Sequence, residues 1–209
     1  MIPATLGLEL SAYLSERHAT HVIGPTDPGA VVAQGVMGIL LRLVPAAAPV
    51  INLIESANER ISTTFPTPLG TFIVLSQAAV ATPLEHASTV AHEHQHAVQI
   101  HARGGVGAAI DYLGSGELRA RAEADAYAVG LAVRWVLLGA VPTDDDAMAS
   151  LGGGTYHLDT GELDLARGVI ASHLASMRAG LCPPITVALE VLSWLRSRHP
   201  EALAATVLT

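Results

Sequence analysis

Thr82-Pro83-Leu84-Glu85-His86-Ala87-Ser88-Thr89-Val90-Ala91-His92-Glu93-His94-Gln95-His96-Ala97-Val98-Gln99-Ile100-His101-Ala102-Arg103-Gly104-Gly105 spells a helix with both of its ends. Thr82 supplies a capping hydroxyl, Pro83 suits the first helical position, and Glu85 puts an acid in the first turn. Arg103-Gly104-Gly105 marks the stop. Within the helix, His92-Glu93-His94-Gln95-His96 reads H-E-x-x-H. Residues four apart share a helix face, so the rings of His92 and His96 can reach one metal ion. Glu93 projects beside them toward a metal-bound water.

The same helical geometry sorts the neighbouring polar residues. His94 falls on the opposite side from the pair, which predicts a solvent-exposed or supporting group rather than a ligand. His101 lies roughly 140° off the ligand face. Gln99 is three residues past His96 and near that face, where it can support the site by a hydrogen bond or simply pack; packing or solvation is the expectation for all three. A third ligand must come from elsewhere, because residues 104–116 hold no histidine and the next is His157. Ser115 caps a second long helix, Glu117 to Leu138, and its carboxylates are the candidates. Glu123 is the first choice, since it sits among alanines in Ala122-Glu123-Ala124-Asp125-Ala126-Tyr127-Ala128 and small residues let two helices approach closely. Glu117 is the alternative, and an ordinary charged stripe through Glu117, Arg119, Arg121, Glu123 and Asp125 is the competing account.

Composition bounds the fold. The chain has 209 residues, 50% apolar, 14% charged and 4% aromatic, which fits a single compact domain over residues 1–209 that is mainly α, with a small β component. The formal charge of −8 offers no electrostatic footprint for nucleic acid. Cys182 stands alone, so no intrachain disulfide forms and no thiolate-rich metal site is available. The N-terminus has no basic region followed by an apolar stretch, which predicts a cytoplasmic protein. Val31 to Ile54 is strongly apolar, but Arg42, Pro45 and Pro49 make a membrane span unfavourable; a core helix, Val31–Val44, continuing as Val50–Ile61 is expected instead.

Elsewhere, the pattern predicts a helix over Leu6–Arg17, a loop over His18–Gly29, and a strand over Thr71–Leu75 after the proline-rich Phe65–Gly70. It predicts a short helix over Val106–Leu113 and a solvated turn at Pro142 and Asp144–Asp146. A hairpin over Gly152–Leu165 follows, with Asp159-Thr160-Gly161 at its tip. Helices then run over Asp164–Ala179, Pro184–Arg198 and Pro200–Leu208.

His92-Glu93-x-x-His96 followed by Arg121-Ala122-Glu123-Ala124-Asp125-Ala126-Tyr127-Ala128 resembles the gluzincin metallopeptidases, in which an H-E-x-x-H helix pairs with a later helix bearing a glutamate ligand. The Glu-Ala-Asp with a following aromatic is similar to the second helix of the prenyl-protein protease type. In that type the ligand glutamate stands four residues before the aspartate, where this chain has Arg121. His92 through Gln99 also resembles H-E-x-x-H domains found beside secreted toxins and phage-like injection systems. The resemblance implies a zincin-like helical domain with a small sheet or hairpin beside the H-E-x-x-H helix. It implies a Zn2+ ion on His92, His96 and a helix-borne glutamate, Glu93 as general base, and a peptide or protein substrate. Thr71 to Leu75 is the expected substrate-pairing strand, and Tyr156 and His157 are the candidate oxyanion donors. The alternative is a non-catalytic subunit of a larger phage-like or injection-system-like assembly, in which the metal ties two helices together and other proteins are the partners.

Overall fold

The computed structural model describes residues 2–27, 62–67, 70–151, 156 and 158–203. The chain is mainly helical with a small sheet, the expected α+β class. Helix α1 (Leu6–His18) leads into strand β1 (Thr20–Ile23), and strands β2 (Thr63–Thr67) and β3 (Gly70–Val74) follow. Then come α2 (Pro83–Ala102), α3 (Val106–Gly114), α4 (Gly116–Leu138), α5 (Asp144–Leu151), α6 (Thr160–Arg178) and α7 (Thr186–Arg198).

Local chemistry sets the helix ends. Thr82 Oγ1 accepts from the Glu85 amide at 3.1 Å, with Pro83 opening α2. Ser115 Oγ accepts from the Leu118 amide at 3.3 Å, and α4 ends at Gly139, whose φ of 78° is left-handed. Each such cap stabilises its helix by about 1 kcal/mol.

Two sequence expectations are overturned at helix starts. Asp159-Thr160-Gly161 is the N-terminus of α6, not a hairpin tip. Asp159 Oδ1 accepts from the Glu162 amide at 2.8 Å and Glu162 Oε2 accepts from the Asp159 amide at 2.8 Å, a reciprocal capping box. Asp144–Asp146 form the first turn of α5 rather than a turn outside it. There the helix dipole favours carboxylates, and Thr143 and Asp146 cap each other reciprocally. The capping logic that located α2 also applies here, but the turn-forming residue types masked it.

The sheet order is β1-β3-β2. β1 runs parallel to β3, with Thr20 opposite Thr71, and β2 runs antiparallel to it, with Phe65 opposite Phe72. β1 lies inside the segment expected to be a loop. β3 matches the expected strand but is central, so both its edges are occupied and it cannot take up a peptide. β2 and β1 are the edge strands among the described residues. Pro66 is tolerated in β2 because an edge strand can spare an amide.

α2 and α4 form the centre. α2 packs on α1, α4 and β2, while α4 also packs on α6 and α7. Leu10, Leu14, Val90, Val129, Trp135, Ile170, Leu174 and Leu195 belong to one connected apolar cluster. Ala87 and Ala91 of α2 and Ala120, Ala124 and Ala128 of α4 are fully buried. At Gly130 an added Cβ would lie 3.4 Å from the Ser88 carbonyl oxygen and 4.0 Å from His92 Cβ. Among the described residues no helix is long and apolar enough to cross a membrane. The expected helices over Val31–Val44 and Val50–Ile61 lie outside the described residues, as does the end of the expected Pro200–Leu208 helix, of which Pro200–Ala202 is a 3-10 turn.

Gly130 tests this close approach. Gly130→Ala is expected to leave stability unchanged or raise it by up to about 1 kcal/mol, because a methyl fits and alanine favours helix. Gly130→Leu is expected to lower it by about 1–3 kcal/mol through overpacking. Chemical denaturation of both variants measures the difference, and equal stabilities would show that the helices are not held at this separation.

Candidate metal centre

α2 presents His92 and His96 on one face, and α4 presents Glu123 opposite them. The ligand-type atoms of the three residues all lie within 4.8 Å of one another. His92 Nε2 and His96 Nε2 are 3.2 Å apart, His96 Nε2 is 3.3 Å from Glu123 Oε1, and His92 Nε2 is 3.7 Å from Glu123 Oε2. Bonds of about 2.1 Å to a tetrahedral ion place its ligand atoms about 3.4 Å apart. Measured from each ring to one or other carboxylate oxygen, the separations bracket that value, so these residues can hold a metal ion. The donor set is also suitable: two imidazoles and one carboxylate leave a fourth position open. Glu117, the alternative third ligand, is largely exposed and pairs with Arg121 at 3.2 Å, outside this cluster.

A buried orphan atom supports the fit. Glu123 is 2% exposed, and its Oε2 is buried without a hydrogen-bond partner, a condition shared among the described residues with Gln95 Oε1. A buried carboxylate oxygen left unpaired is unfavourable unless a cation satisfies it.

Both imidazoles are oriented by α4. Gln99 Nε2 donates to the Ala122 carbonyl at 3.1 Å, which forces its Oε1 toward His96 Nδ1 at 3.0 Å. His96 therefore donates from Nδ1, so Nε2 is the nitrogen that faces the cluster. The His92 ring is likewise hydrogen-bonded to the backbone of Ala126. Ala122 and Ala126 flank Glu123 one helical turn apart, so one stretch of α4 supplies the carboxylate and orients both rings. Gln99 thus bonds to the site rather than merely packing.

The surrounding groups complete the environment. Tyr112, from α3, donates its hydroxyl to Glu123 Oε1. The Tyr127 ring meets His92 edge-on at 4.8 Å, and its hydroxyl lies 3.1 Å from that of Tyr156. Tyr112, Tyr127 and Tyr156 are three of the chain's four tyrosines. Glu93 is 4% exposed, and the Thr64 hydroxyl on β2 lies 2.7 Å from its Oε2 and 3.0 Å from its carbonyl oxygen. Tyr127 had a sequence signal, because it is one turn past Glu123 on the same face. Thr64 and Tyr112 had none, since only the tertiary fold brings them in. His157 lies outside the described residues. Asp125 faces away and is 3.1 Å from His173 Nε2.

Of the surroundings expected for His94, packing holds and solvent exposure does not. It is fully buried, with Nδ1 2.7 Å from the Val90 carbonyl oxygen and Nε2 2.9 Å from Thr20 Oγ1. α1 and β1 cover that side of α2, so the face opposite the site is core. Burial pushes the His94 ring down to about 4, which keeps it neutral. His101 lies off the site as expected and reaches Thr71 Oγ1 at 2.8 Å.

Electrostatics divide the cluster. Burial, reinforced by His96, lowers His92 to about 3. Burial also opposes a charge on His96, but the Glu123 carboxylate outweighs it and raises that ring to about 9. Burial raises Glu123 less than the histidines lower it, so it stays ionised. Burial lifts Glu93 to about 7, and burial drives the Tyr112 phenol well above its ordinary range, keeping it a donor.

The chain matches no known protein family, no curated protein and no solved structure.

Two expectations follow from this geometry. A metal ion must displace the His96 proton, so affinity should fall about tenfold per pH unit below about 9 and level off above it. Titrations with Zn2+ or Co2+ across pH 6–10, in about unit steps, check this; a flat profile would place binding elsewhere. Gln99→Leu should weaken affinity about 10- to 100-fold without unfolding the protein, because His96 loses its orienting partner. Isothermal titration beside circular dichroism measures both.

Proposed function

We propose that this chain is a zinc-dependent metallopeptidase of gluzincin type, with His92, His96 and Glu123 as ligands and Glu93 as general base. The observation that carries the reading is Glu93. It is a buried carboxyl beside the ligand cluster, lifted to about 7 by burial and held through one oxygen by Thr64. A site that merely ties two helices together needs no such group, whereas a general base works best with a proton affinity near the operating pH. Two imidazoles with one carboxylate favour zinc, and the donor set contains no thiolate.

When bound, zinc polarises the scissile carbonyl and lowers the proton affinity of a water molecule. The remaining work falls to the chain's own residues. Glu93 accepts the proton of the attacking water and delivers it to the leaving amine nitrogen. Thr64 restrains the Glu93 carboxyl from rotating, so the second oxygen is the one that handles the proton. Gln99 and the Ala126 backbone hold the two rings in the required orientation. β2, which carries Thr64 and is an edge strand among the described residues, is the element to which an extended peptide would add in this reading.

Glu93→Gln is the decisive variant. Tag-free protein should contain about one zinc per chain with or without the substitution. Peptide hydrolysis should fall by about 10²–10⁴ in kcat/KM in the variant. If zinc-loaded wild-type protein cleaves nothing in a broad peptide library, and chelation only lowers its Tm, the ion is structural and the peptidase reading fails.

A further inference from the structure

We infer that Tyr112 is a positioning residue that makes Glu123 a one-oxygen ligand: its hydroxyl occupies Oε1 and leaves Oε2 for the metal. The inference rests on the metal reading given above and adds a role for α3, which the sequence predicts only as a short helix.

The carboxylate has two oxygens with different surroundings. Oε1 accepts from the Tyr112 hydroxyl and lies 3.3 Å from His96 Nε2, while Oε2 is buried without a hydrogen-bond partner, 3.7 Å from His92 Nε2. Rotation of a glutamate carboxylate about its last torsion is soft, so nothing in Glu123 itself distinguishes the two oxygens. Without a donor on Oε1, both oxygens can bind the ion, and the second would fill the position that a reactive site keeps open. A phenol donating to one oxygen locks the rotation and reduces that oxygen's availability. Hydrogen bonds to ligating carboxylates tune metal sites in this way.

The donor is itself held in place. Arg119 lies on α4 one turn before Glu123. Its guanidinium donates to the Tyr112 carbonyl at 3.1 Å, the Leu113 carbonyl at 3.3 Å and the Tyr156 carbonyl at 2.8 Å. The first two are carbonyls of the last turn of α3, where a cation is favoured. The helix that bears Glu123 therefore also pins the helix that bears its hydrogen-bond donor. The Tyr112 ring stands 6.3 Å from that of His96, at a near-perpendicular 76°, so the phenol borders the ligand cluster.

The test uses the tag-free full chain and Co2+ as a spectroscopic probe. Wild-type protein should show the intense visible band of a four-coordinate cobalt site, and His92→Ala should abolish it. In Tyr112→Phe the band should weaken and shift as Oε1 joins the coordination, with Co2+ affinity changed by about tenfold. An unaltered spectrum and affinity in Tyr112→Phe, with the wild type binding normally, would overturn the role of Tyr112 while leaving the metal reading intact. Failure of the wild type to bind Co2+ would remove the metal reading, and this inference with it. Should Tyr112→Phe not fold, the unaltered protein still decides. The infrared difference spectrum between metal-free and Zn2+-loaded wild type should show the wide carboxylate splitting of one-oxygen binding. The narrow splitting of two-oxygen binding would refute the assignment.

Discussion

The structure depends on the close contact between α2 and α4. An added Cβ at Gly130 of α4 would touch the Ser88 carbonyl and His92 Cβ of α2, and Gln99 of α2 reaches the Ala122 carbonyl of α4; this proximity brings a buried carboxylate against two imidazoles. Larger side chains along that seam would part the helices and separate the three groups. The seam carries His92, His96, Gln99, Glu123 and Tyr127, so its polar groups have to be satisfied individually. Most are: Gln99 bonds to His96 and to Ala122, Tyr112 to Glu123, and Thr64 to Glu93. Two buried oxygens are left over, Gln95 Oε1 and Glu123 Oε2, and the second lies where a cation would bind.

The other faces of α2 are packed against the rest of the fold. α1 and β1 cover the side opposite the ligand face, and His94 joins them through Thr20. β2 covers the flank that carries Glu93. The H-E-x-x-H helix is thus enclosed by α1, α4 and the sheet, and its polar residues each meet a different neighbour. Hydrogen bonds to Gln99 and to the Ala126 backbone orient the His96 and His92 rings. The same enclosure tunes the charges, because burial disfavours an ionised Glu93 while Glu123 stays ionised between the two rings.

Legibility varied with the range of the interaction. Thr82-Pro83 and Ser115 announced α2 and α4 correctly, because a cap is a contact within three residues. Asp159 and Thr143 offered the same signal, but their neighbours Gly161 and the acidic run also suit turns, and turn chemistry was read instead. β1 was missed because four residues beside a loop carry little periodicity; its identity comes from pairing with β3 across about fifty positions. β3 was recognised as a strand, but its central position depends on partners at both edges. The sequence leaves His94 open between packing and solvent because helical phase separates faces without saying what covers each one.

By itself, the sequence determined the helical class, the bounds of α2 and α4, and the pairing of His92 with His96. Each follows from backbone geometry or from contacts within one helical turn. Its alanine context also favoured Glu123 over Glu117, but the choice between them needed the structure. Glu123 faces α2, whereas Glu117, six residues earlier and so nearly two turns away, faces solvent. Only the tertiary structure brought in Thr64 and Tyr112, buried His94, and assigned the sheet edges. Those outcomes depend on which elements meet in space, and residues distant in sequence leave no periodic trace of that meeting.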